Sequence, residues 1–185
     1  MAWYAIFVKT GNENKVKLRL EYRFRGDPEV FLPKRVIRER KDGIWKDKTR
    51  VLFPGYVFLR GDITPTVITQ MWNVPDLFKI LKQDFRAVSV PEEEIDVFRH
   101  LMDGADTIGL SQACMVGDRV EFIEGPLACS SVIGEVVSID KRKGRAMVRI
   151  YFLGEERILP FGFEFIARDK SDESAMTGVV ANENH

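Results

Sequence analysis

The sequence predicts an α+β protein: an antiparallel sheet flanked by helices, followed by a small five-stranded β-barrel. Three observations carry this. Strand and helix signals alternate up to about residue 103. The apolar pattern then fades between Asp103 and Met115, where Gly104, Gly109 and small polar residues dominate. Beyond it come only strand signals, five short ones in about 50 residues, which is the pattern of a small barrel.

The elements follow in order. Trp3 to Val8 is aromatic and β-branched, a buried strand. Thr10-Gly11-Asn12-Glu13 has the spacing of a helix capping box. The stretch Val16 to Phe24 alternates strictly, as a strand does, but Val16, Leu20 and Phe24 also form one helical stripe. Its Lys, Leu, Arg and Glu content decides for a helix. Glu29 to Leu32 is extended into Pro33. Arg35 to Arg40 and Ile44 to Lys48 pair about an Asp42-Gly43 hairpin turn. Residues 51–60 end in a strong strand. Thr64-Pro65 caps a second helix with Val67, Ile68, Met71 and Trp72 on one face. Leu77 to Leu81 and Ala87 to Val90 are short strands. Pro91-Glu92-Glu93-Glu94 opens a third helix, its acids set against the positive helix N-terminus and its stripe formed by Ile95, Phe98 and Leu101. The later strands are Arg119–Ile123, Val132–Ile139, Ala146–Phe152, Arg157–Pro160 and Phe163–Ala167. The expected organisation is therefore a first domain over 1–103, a linker over 104–115, a barrel over 116–170 and a disordered tail over 171–185.

Composition narrows the class. The 185 residues are 45% hydrophobic and 30% charged, a globular balance, and no apolar run reaches the roughly 18 residues of a membrane helix. The first residues lack the basic start and small-residue cleavage site of a signal peptide. Two cysteines, Cys114 and Cys129, fit free thiols in a reducing cytosol. The net charge of zero hides an asymmetry: residues 1–91 carry +8, 92–106 carry −5, 107–170 are neutral and 171–185 carry −3. An anionic partner would be met mostly by the first half, although a solvated basic surface gives the same count.

Signals for chemistry are missing. His100 and His185 have no triad neighbours, and no phosphate-binding loop, dinucleotide fingerprint, zincin motif or C-x-x-C occurs. Glu92, Glu93 and Glu94 point about 100° apart on a helix and cannot converge on one ion. No catalytic residue, metal or cofactor is expected.

Three features stand out instead. In Phe53-Pro54-Gly55-Tyr56-Val57-Phe58, proline and glycine bend the chain into a strand among three aromatics. This is either a bulged core strand or a groove for a partner helix. The run Lys34–Arg50 holds eight basic residues against three acids, with Trp45 at its centre; Lys34, Arg35, Arg38, Arg40, Lys41, Trp45 and Lys46 are candidates for single-stranded nucleic acid. Lys141, Arg142, Lys143 and Arg145, with Arg149 nearby, crowd a hairpin tip that could project charge toward RNA phosphates. A merely solvated hairpin accounts for either basic run as well.

Together these residues resemble the NusG family over about residues 2–168. The first part is similar to an NGN domain in Trp3-Tyr4, Gly11-Asn12-Glu13-Asn14-Lys15-Val16, Phe31-Leu32-Pro33, Phe53-Pro54-Gly55-Tyr56-Val57 and Val90-Pro91. The second is similar to a KOW domain in Gly117-Asp118-Arg119-Val120, Glu124-Gly125-Pro126-Leu127-Ala128, Gly134-Glu135-Val136, Ile139-Asp140 and Lys143-Gly144-Arg145. The resemblance implies a monomeric, cytoplasmic transcription elongation factor. Its Phe53, Pro54, Gly55 and Tyr56 would dock on the clamp helices of RNA polymerase, without catalysis. Two departures exist. Cys129-Ser130-Ser131-Val132-Ile133 intervenes before Gly134, and Phe152-Leu153-Gly154-Glu155-Glu156-Arg157-Ile158-Leu159-Pro160 replaces the family's usual segment for contacts with Rho or the ribosome. The chain thus resembles a specialised antiterminator of the LoaP or RfaH kind, recruited to selected operons by leader RNA or non-template DNA. The alternatives are a general housekeeping NusG contacting Rho or the ribosome, and a ribosome-associated RNA-binding protein with a KOW barrel.

Overall fold

In the computed structural model, residues 2–80, 82–83, 86–87, 89–102, 106–129 and 134–166 are described. The chain opens with β1 (Ala2–Val8), α1 (Glu13–Phe24), β2 (Glu29–Phe31), β3 (Lys34–Lys41), β4 (Ile44–Val51), β5 (Tyr56–Gly61) and α2 (Pro65–Trp72). Then come β6 (Leu77–Ile80), β7 (Lys82–Gln83), β8 (Arg86–Ala87), β9 (Ser89–Val90) and α3 (Glu92–His100). The remainder is β10 (Thr107–Ile108), β11 (Ser111–Val116), β12 (Arg119–Glu124), a 3-10 turn (Pro126–Cys129), β13 (Glu135–Asp140), β14 (Arg145–Phe152) and β15 (Glu155–Phe165).

The first sheet runs β2-β5-β1-β6, with β9 also paired to β1, and every pairing is antiparallel. Strand alternation sorts its side chains onto two faces. Ile6 and Val8 of β1 and Val57 and Leu59 of β5 meet Val16 and Leu20 of α1 and Met71 of α2. Trp3, Ala5 and Phe58 point the other way, toward Ile95 and Phe98 of α3. The helical stripe of α1 wins over its alternation: Val16 and Leu20 are buried while Leu18 and Tyr22 are exposed. Thr64 caps α2 by accepting the Val67 N–H, but Trp72, expected on the apolar face, is largely exposed.

The second sheet has the order β12-β11-β15-β14-β13. Its five strands differ in detail from those expected. Arg157–Pro160 and Phe163–Ala167 lie largely in one strand, β15, because Pro160 and Gly162 sit in extended backbone without breaking the ladder to β14. The stretch expected to be a linker contains two strands, the second reaching one residue beyond it. Thr107–Ile108 pairs parallel with Lys34–Arg35, and Ser111–Val116 pairs with both β12 and β15. Gly109 disguised this: it separates two short apolar runs that belong to different sheets. Ser130–Ile133, residues 103–105, the tail and His185 lie outside the described residues.

The two sheets share one core. Trp3, Phe31, Phe53, Phe58 and Phe98 of the first lobe join Ala146, Val148, Phe152, Phe161 and Phe163 of the second in a single buried cluster. Phe152 is the keystone: its ring stacks on Phe53 at 4.2 Å and meets Phe58 and Phe98 edge-on at 5.6 and 5.3 Å. Beside it, β15 runs so close to β3 that a Cβ on Gly162 would lie 2.7 Å from the Val36 carbonyl oxygen.

Candidate interaction site

The aromatic bend is built around a glycine. Gly55 has φ +86°, a left-handed conformation that side chains disfavour, and it is buried. Its N–H donates to Glu13 Oε1 at 2.8 Å, while Glu13 Oε2 accepts the Gly11 N–H at 2.9 Å. Glu13 is only 3% exposed and joins the start of α1 to the bend. The capping-box expectation is thereby corrected. Asn12, not Thr10, is the N-cap, and it makes no side-chain cap bond. Glu13 is the first helical residue, and its carboxylate does the work.

The bend's four candidate residues have unlike roles. Phe53 is buried, packed edge-on against Phe98 at 5.1 Å as well as on Phe152. Pro54 is exposed. Tyr56 is half-buried, its ring edge-on to Phe7 at 5.0 Å, with the Arg157 guanidinium 5.4 Å above it. The second lobe therefore covers this face. Glu94, in the first turn of α3, accepts the Leu153 N–H at 2.8 Å and helps to hold it there.

The basic residues divide similarly. Arg35 is buried, donates to the Leu52 carbonyl at 3.0 Å, and has its pKa pushed down to about 10 by burial and by the nearby Arg145 charge. It is a structural cation of the first lobe. Arg145 donates to the Arg38 carbonyl at 2.8 Å, pinning the β13–β14 tip to β3. Arg149 lies between Glu135 at 2.7 Å and Glu156 at 3.2 Å. Arg40 folds back on the Gly43 carbonyl, and Lys34 is half-buried. Lys41 and Lys46 are exposed on the β3–β4 hairpin. Arg38, Trp45, Lys141, Arg142 and Lys143 come together around one cleft between that hairpin and the tip. Sequence reasoning missed the interlocking residues Phe152, Leu153, Arg157 and Gly162, since nothing local marks a strand as facing another domain. Among the described residues no group of His, Cys, Asp and Glu could hold a metal ion, and no helix is long and apolar enough to cross a membrane.

Comparison with known proteins places this architecture. The family model described as transcription termination factor nusG matches residues 1–99. The Thermus thermophilus transcription termination/antitermination protein NusG is 26% identical over 184 residues, covering 90% of this chain and 97% of that protein. The Staphylococcus carnosus protein of the same name is 27% identical over 176 residues, covering 90% of this chain and 94% of its own. A solved structure, "Domain interaction in Thermotoga maritima NusG", shares the fold at TM-score 0.55 and 21% identity, covering 87% of this chain and 93% of that one. The chain belongs to the NusG family. It is a transcription termination/antitermination factor of that family.

Proposed function

We propose that the first lobe docks on the clamp helices of RNA polymerase through the aromatic face around Phe53, Pro54, Gly55 and Tyr56, and that the second lobe masks that face until it is released. The stacking of Phe152 on Phe53 at 4.2 Å carries this reading, because the surface suited to a partner is filled by the chain's own aromatic. We take the lobes to divide between Met102 and Ser111, a stretch that overlaps the segment 104–115 assigned to a linker on sequence grounds. The second sheet, ordered β12-β11-β15-β14-β13, is read as a KOW-type domain, and its basic tip meets the RNA or non-template DNA that recruits this monomeric factor to selected operons. Pull-down of polymerase by the full chain and by a Phe152→Asp variant tests the masking. The variant, if its first lobe stays folded, is expected to bind more tightly; equal or weaker binding by a folded variant argues against it.

A housekeeping role is the second reading, favoured by the near-full-length similarity to proteins named transcription termination/antitermination protein NusG. Rho and ribosome pull-downs separate the two. The specialised factor is expected to retain neither partner.

A further inference from the structure

The two basic stretches singled out in the sequence meet although 107 residues separate Arg38 from Arg145. They enclose a cleft of about 260 Å³. Arg38 and Trp45 form one wall, Lys141, Arg142 and Lys143 the other, and Phe165 lies at its edge. Such a space is close to the lower end of small-ligand pockets, roughly 300 Å³, and suits one planar ring better than a folded peptide.

The wall chemistry is specific. Trp45 is half-buried on a strand whose other residues are mostly exposed. Phe165 is 43% exposed. Four cations face a single acid, Glu164. Three of the four are partly engaged: Arg38 with Asp47 at 3.4 Å, Lys143 with Asp140 at 3.3 Å, and Lys141 with the Asp118 carbonyl at 2.9 Å. The Arg142 guanidinium belongs to an exposed residue at the tip. The walls are also pinned. Arg145 ties the tip to β3, and the Gly144 carbonyl accepts the Phe163 N–H at 2.8 Å. A Cβ at Gly144 would lie 2.3 Å from the Phe163 carbonyl oxygen, so glycine is required for this approach.

The geometry points to a single-stranded nucleic-acid site that is complete only while the two lobes are closed: a base stacks on Trp45 and its flanking phosphates meet Lys141, Arg142 and Lys143. Stacking on an aromatic with cations beside it is the general chemistry of single-strand binding, and ribose and deoxyribose strands both supply it. The inference rests on the reading that the tip meets nucleic acid, and adds the second wall, the ligand class and the dependence on closure. A strand held here would bring the factor in while it is still closed, since a ligand shifts an equilibrium toward the state it binds better, and polymerase must then displace the second lobe in a separate step to reach the aromatic face.

The test is an anisotropy titration of the full chain with labelled oligouridine, oligothymidine and a duplex of equal length, at several salt concentrations. Single strands are expected to bind better than duplex, and the stronger of the two strands identifies the source. Trp45→Ala should weaken binding about tenfold, with Trp45→Phe restoring most of it. Arg142→Glu should weaken binding and lower the magnitude of the salt slope by about 0.7 or more. Arg145→Ala, which removes the clamp, should also weaken it, whereas Lys46→Glu should change it less than Arg142→Glu does. If Arg142→Glu abolishes binding while Trp45→Ala leaves it intact, the tip alone binds, and the composite site is overturned while the tip reading stands. Preference for duplex overturns the single-strand site while leaving the tip reading in place, and no binding by the unmodified chain overturns both.

Discussion

Glu13 shows how a single side chain can be read correctly as important and wrongly as to why. Its spacing from Thr10 signals a helix start, and the helix does start there. Its second contact, to Gly55, spans 42 residues and leaves no local trace. Replacing Glu13 by Ala would strand the buried Gly55 N–H, an expected loss of about 1–3 kcal/mol. Glu13→Gln, which keeps one acceptor oxygen, should lose less, as urea unfolding of the two variants would show. The aromatic bend was legible as a motif, but the division of labour within it was not. Phe53→Ala would remove a core ring, at about 3–5 kcal/mol, and is a poor probe of docking. Tyr56 is half-buried, so Tyr56→Ala should leave the fold intact while costing about 2 kcal/mol of polymerase binding. Unchanged co-purification when Tyr56→Ala is added to the unmasked Phe152→Asp variant would remove the docking assignment.

At the scale of elements, the hairpin turn at Asp42-Gly43 was readable because both residues take the positive φ, 54° and 80°, that such turns require. The strand β11 was not readable, since its own sequence alternates poorly and one of its two partners, β15, lies some fifty residues downstream. The β13–β14 tip has a titratable brace. Asp140 accepts the Lys143 N–H at 3.0 Å, and this bond, aided by the Lys143 side chain, holds its carboxyl below the usual value. A depressed carboxylate pKa stabilises the folded tip above the ordinary value and loses that contribution as pH falls through the lowered one. The Lys143 amide resonance should therefore stay at its native position through the ordinary aspartate range and move only in more acidic solution. A midpoint at or above the ordinary value would contradict the brace. On β15, Gly162→Val should force the strand off the Val36 backbone, because the Val36 oxygen at 2.7 Å cannot rotate away as a side chain can. Crosslinking between the lobes should fall in that variant while each sheet keeps its circular dichroism.

For the whole molecule, the alternating first half and the all-strand second half conveyed the fold class, but not that the halves share a core. Charge and hydropathy patterns describe a chain one window at a time, and Phe152 looks like any buried strand residue until Phe53 is seen against it. Limited proteolysis of the closed protein should accordingly spare Thr107–Val116, which is held in two sheets. Variants that break the interface, such as Phe152→Asp, should become cleavable there first. Early cleavage of the unmodified chain at this segment would mean that the lobes part readily on their own.

The connection between the lobes fixes the terms of any competition for the aromatic face. Only Gly109 and Leu110 separate β10, anchored on the first lobe, from β11 of the second. Even if β10 lets go of β3, a free span over residues 106–110 reaches only about 12 Å on average. The second lobe thus stays at an effective concentration in the millimolar range near its docking face. An outside partner meets an internal ligand that never diffuses away, and its apparent affinity is its intrinsic affinity scaled by the fraction of molecules that are open. Lengthening the segment 106–110 with a flexible insert would dilute the internal ligand and raise polymerase affinity with no change in any contacting residue.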